Sequence, residues 1–68
     1  MKLVYENTGC EVKCGEVART FRDEVVYIEG WDEPAHPGST GRVYIKHFGD
    51  NGWTQGVYPS VVGAVWVQ

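Results

Sequence analysis

The chain reads as short runs of alternating apolar and polar residues broken by turn residues. Lys2–Tyr5 opens with Leu3 and Tyr5 on one side and Val4 on the other, a first strand. Asn7-Thr8-Gly9 is turn chemistry. From Cys10 to Cys14, Cys10, Val12 and Cys14 alternate with Glu11 and Lys13. Gly15 interrupts, and Glu16–Phe21 continues as extended chain. This window lacks the i, i+3, i+4, i+7 apolar stripe that a helix requires. Arg22-Asp23 is a polar turn.

Glu24–Trp31 is the clearest strand of the first half, because Val25, Val26, Tyr27 and Ile28 are all strand formers. Its apolar run is nearly continuous, which predicts cover on both faces. Asp32–Gly41 is the longest loop and carries Pro34, Pro37, Gly38 and Gly41. Arg42–Phe48 alternates again, with Val43 and Ile45 on one side and Tyr44 and Lys46 on the other. Gly49-Asp50-Asn51-Gly52 predicts a tight hairpin, since Asn-Gly tolerates positive φ at both central positions. Trp53–Tyr58 returns antiparallel, Pro59 and Ser60 start one turn of 3₁₀ helix, and Ala64–Val67 closes the chain.

Five or six short strands and almost no helix predict a single all-β domain over residues 1–68, a small antiparallel barrel. Glu24–Val67 resembles the SH3 domain and its wider SH3-like barrel class. The shared order is strand, n-Src-type loop, strand, distal hairpin, strand, then Tyr58-Pro59-Ser60 turning into the last strand. The resemblance implies the fold. It does not imply proline-peptide binding, for the Ala-Leu-Tyr-Asp-Tyr string of that activity is missing. Arg42-Val43 stands where those domains carry Trp-Trp, and Val62 where they carry Tyr. Gln55-Gly56-Val57-Tyr58-Pro59 is also similar to the Val-Gln-Ile-Tyr-Pro string of plasmid-type dihydrofolate reductases, which assemble as tetramers around a pore. The Gln stands one residue further from the Tyr, which in a strand turns it to the opposite face. Pro37–Tyr44 is similar in style to small proteins of bacterial viruses.

Composition narrows the functional classes. A net charge of −3 and a pI near 5.1 argue against phosphate backbones as partners. Arg19, Arg22, Arg42, Lys46 and Lys13 beside Tyr44 and Phe48 supply the parts of a single-strand binding face, but nine acidic residues share the same segments. No apolar run approaches the roughly 18–20 residues of a membrane span, and no apolar h-region follows Met1. The expected compartment is the cytoplasm, with Cys10 and Cys14 as reduced thiols.

Cys10, Cys14, His36 and His47 are the right residue types for zinc. On a strand, however, the two cysteines lie roughly 13 Å apart, too far for one ion or for a disulfide. Two small buried or half-buried side chains are the expectation, with no metal and no cofactor. His36 and His47 have acidic neighbours but no nucleophile, and Gly38–Arg42 lacks the spacing of a phosphate loop. The surplus is aromatic. Three Trp, four Tyr and two Phe exceed what a domain this small buries. Trp31, Trp53, Tyr58 and Pro59, rimmed by the Asp32–Gly41 loop, are the expected binding surface of a non-enzymatic protein-interaction module. Its expected partner is another protein or a second copy. The alternatives are a small oligomeric enzyme of the dihydrofolate reductase kind and a single-stranded nucleic-acid binder.

Overall fold

The computed structural model describes residues 1–36, 38–48 and 53–68. The described residues form six strands: β1 Lys2–Tyr5, β2 Val17–Arg19, β3 Val25–Asp32, β4 Arg42–His47, β5 Thr54–Val57 and β6 Ala64–Val67. A 3₁₀ turn, Pro59–Val62, precedes β6. The protein is all-β, with antiparallel pairing throughout. The strands form two sheets, β2-β3-β4-β5 and β1-β6, which do not close into a continuous barrel. The predicted Gly49–Gly52 turn lies outside the described residues.

Alternation sets the core. On β4, Val43 and Ile45 are fully buried, while Arg42 is exposed and Tyr44 and Lys46 are half-buried on the other face. β3 departs from the expected continuous cover. Val26 and Ile28 are buried, Tyr27 and Glu29 are exposed and Val25 is half-buried, so the strand alternates. Its register with β4 then slips between Ile28 and Gly30, the signature of a bulge. The extra residue changes the parity, and Trp31 pairs with Val43 on the inner face. Ala18 of β2 and, from outside that sheet, Leu3, Val12, Val62 and Ala64 complete the core.

The Cys10–Cys14 segment is also corrected. It is not a strand, only a single bridge from Glu11 to Val4. Val12 is buried but Cys10 and Cys14 are both exposed free thiols, although the Cys10 carbonyl accepts from Tyr5 N–H and Val12 N–H donates to the Leu3 carbonyl. The Cys14 thiol donates to the Glu29 carbonyl at 3.0 Å. No helix among the described residues is long and apolar enough to cross a membrane.

Candidate functional site

An open groove lies where the 3₁₀ turn delivers the chain into β6. Pro59 occupies the first helical position, where its fixed φ suits the turn and its missing N–H has no helical partner to lose. Gly63 ends the turn in the left-handed region at φ 70°, and its N–H reaches back to the carbonyls of Pro59 and Ser60. Tyr58, extended at φ −66° and ψ 146°, is thereby held at the mouth with 53% of its surface exposed.

Tyr58 and Pro59 make one wall, Ser39 and Thr40 the other, and the run from Ala64 to Trp66 the floor. The groove measures about 610 Å³. Past Trp66 and Ser39 a second hollow of about 510 Å³ continues toward Pro34, His36 and the two chain ends. Among the described residues, no Asp, Glu, Lys or Arg lines either hollow.

Trp66 ties the floor to the Ser39–Thr40 wall. Its indole Nε1 donates to the Thr40 carbonyl at 2.8 Å, across 26 positions of sequence. Gly41 makes this approach possible. A Cβ there would stand 2.5 Å from the Asp32 carbonyl oxygen and 3.0 Å from Trp66 Cζ2, and its φ is +67°.

Beside the groove, the outer face of β3–β5 holds a polar cluster. The Arg42 guanidinium lies 4.6 Å from the centroid of the Tyr58 ring, a cation–π stack. Tyr44 donates its hydroxyl to an Asp32 carboxylate oxygen. That bond, followed by desolvation and the charge of Asp32, raises the Tyr44 pKa against the opposing pull of Arg42. Gly56 leaves room for the Tyr44 ring, since a Cβ there would come within 3.3 Å of it.

Of the four residues expected at the binding surface, the structure brings together Tyr58 and Pro59. Tyr58 is exposed at the mouth, while Pro59 is buried with its ring in the wall. Trp31 is half-buried against the core from the inner face of β3 and lines neither hollow. Trp53 is 75% exposed just before β5 and lines neither. Of the Asp32–Gly41 loop, Pro34, His36, Ser39 and Thr40 form the rim. Trp66 is the groove residue that was not expected at the binding surface. A Trp in a terminal strand reads as core, and the only other signal was Gly41, which could have marked a close approach.

The remaining candidates are dispersed. His47 Nε2 lies 3.3 Å from Gln55 Oε1 in a separate cleft with Thr20, Phe21 and Glu24. Gln55 therefore does not share the groove of Tyr58. Among the described residues, no three His, Cys, Asp or Glu side chains come together as a metal site. Arg19 pairs with Asp23 at 2.8 Å and Arg22 lies over Phe21, both on the surface. No family model matches the chain, and no curated protein and no solved structure matches it either.

Proposed function

We propose that this chain is a small SH3-like protein-interaction module whose contact surface is the groove between the 3₁₀ turn and β6. One observation carries the reading: a groove walled by exposed Tyr58, with no Asp, Glu, Lys or Arg in its lining among the described residues, continues past Trp66 into a second hollow. Such a surface gains from excluding water and offers Tyr and Trp, the side chains that dominate binding energy at protein contacts. The element order of β3 to β6, with its Tyr-Pro-Ser turn, supports the SH3-like assignment. The contact is not of the proline-peptide kind, since Arg42 and Val62 stand where that activity places aromatic rings.

The test is affinity capture with the purified chain and with a Ser60→Arg variant, which sets a long charged side chain in the groove from an exposed position. A partner enriched by the first and lost by the second, at unchanged circular dichroism, is the expected result. Equal recovery of every captured protein by both would remove the groove from the reading.

A further inference from the structure

β5 ends the four-stranded sheet, and among the described strands β4 is its only neighbour. Which backbone groups of β5 are taken by β4 follows from hydrogen bonds further in. Ile28 N–H donates to the Glu16 carbonyl and the Ile28 carbonyl accepts from Gly15 N–H, while the Glu24 carbonyl accepts from Thr20 N–H. Ile28, Val26 and Glu24 therefore turn their backbone groups toward β2, and Tyr27 turns its own toward Lys46 of β4. Lys46 bonds to β3, so Ile45 faces β5 and bonds with Gln55 opposite it. Gln55 and Val57 thus point their N–H and C=O groups at β4, and Thr54 and Gly56 point theirs outward. That edge is open. Thr54, Gln55 and Gly56 are all exposed. Among the described residues no group hydrogen-bonds to the backbone N–H or C=O of Thr54 or Gly56. A Cβ added at Gly56 would meet only Tyr44 and Arg42, both of β4, within 4 Å. The edge is also unguarded: Thr54–Val57 contains no Lys, no Pro and no bulge, the usual devices against strand pairing.

We infer that β5 is the pairing surface of a homodimer, joined antiparallel to β5 of a second copy about a two-fold axis at Gln55. Thr54, Gln55 and Gly56 do not line the groove described above, so this surface is a further one. Outward-facing residues must oppose outward-facing residues, so the axis passes through a residue and not between two. With the axis at Gln55, Thr54 and Gly56 of each copy exchange both backbone bonds with Gly56 and Thr54 of the other. Gln55 lies directly opposite Gln55, and an amide side chain both donates and accepts, so that pair complements itself. Trp53, Gln55 and Val57 share one face of the strand. Trp53, 75% exposed and outside the groove, comes opposite the half-buried Val57 of the second copy, which gives its ring apolar cover. An axis at Gly56 would instead set the Gln55 amide against Val57, and Thr54 against Tyr58, whose carbonyl already accepts from Val61 N–H. β5 carries no charged side chain, so the two strands meet without like-charge repulsion between them. An unrelated strand could use the same backbone groups. A second copy also answers Gln55 with an amide and Trp53 with a β-branched residue, at the spacing the axis requires.

Sedimentation equilibrium of the intact chain is expected to show a monomer–dimer equilibrium. As the dimer forms, exchange at the Thr54 and Gly56 amides should slow by about tenfold or more, while Gln55 and Val57 change little because β4 already holds them. Gln55→Lys and Gln55→Glu alter an exposed side chain, and circular dichroism should show both folded. Each is expected to raise the dimer dissociation constant by about tenfold, through like charges opposed at the axis and a lost amide pair. Mixed in equal amounts, the two variants should recover the original affinity to within about twofold, as Lys meets Glu. A chain that stays monomeric at millimolar concentration would overturn the inference. So would dimers in which Thr54 and Gly56 exchange as fast as in the monomer, or a mixture that binds no more tightly than either variant alone. Protection of these two amides solely by a protein of another sequence would overturn the choice of occupant.

Discussion

Gly41→Ala tests the joint between the loop and β6. The added Cβ meets a backbone carbonyl oxygen at 2.5 Å, which cannot swing aside as a side-chain tip can, and the Trp66 ring at 3.0 Å. Two costs combine. A non-glycine residue held in the left-handed region costs about 1–2 kcal/mol. Overpacking at a constrained site adds about 1–3 kcal/mol. The sum, about 2–5 kcal/mol, is comparable to the roughly 3–5 kcal/mol that a core of this size supplies. Gly9→Ala is the matched control, because Gly9 has φ +73° but nothing within 4 Å of its Cβ. Both changes stiffen the unfolded chain equally, so that term cancels between them. Urea unfolding followed by tryptophan fluorescence measures the difference. Gly41→Ala should lose about 1–3 kcal/mol more than Gly9→Ala. Equal losses would refute the close approach of Gly41 to Asp32 and Trp66.

Trp66→Phe keeps much of the ring packing but removes the indole N–H, so it should cost about 0.5–1.5 kcal/mol in urea and speed amide exchange in the Ser39–Thr40 wall. Burial first, then the bond to Glu16, raises the Tyr5 pKa above the tyrosine range. A raised folded pKa leaves stability complete below the unfolded value near 10 and erodes it as pH climbs above that value. The urea midpoint should therefore fall progressively as pH rises above about 10, and Tyr5→Phe should flatten that fall. An equal fall in both proteins would contradict the assignment. Cys10 and Cys14 are both exposed, so a thiol reagent should titrate two thiols in the native protein without denaturant. A single reactive thiol would show that the segment packs differently around Val12.

The C-terminal half was the more legible in sequence, for physical reasons. Ala64–Val67 needs only its own β-branched and aromatic residues and the preceding Pro59 and Gly63 to be read as a strand. β4 alternates plainly, so Val43 and Ile45 could be assigned to the core. β3 could not be resolved in the same way. Val25, Val26, Tyr27 and Ile28 all favour strands, and which of them face inward depends on pairing with β2 and β4. The bulge before Gly30 then moves Trp31 to the inner face, a change of parity that no local pattern announces. The groove was half legible. Tyr58 and Pro59 are neighbours in sequence and lie together in it. Trp66 and Thr40 meet only because Gly41 allows a turn that no other residue fits, and a contact between distant segments leaves no periodic trace.

Pairing of Lys2 with Val67 places the first and last strands of the chain side by side. The β1-β6 sheet is therefore the contact of greatest sequence separation, and closing it carries the largest loop entropy of any pairing in the fold. During synthesis β1 precedes β6 by the whole of β2 to β5, and among the described strands it pairs with β6 alone. Over that interval Leu3, a fully buried core residue, has no β6 to cover it, while β2 to β5 can already pair among themselves. Pairing of β1 with β6 is thus a late step in completing this small fold, and the groove floor belongs to the later of the two strands.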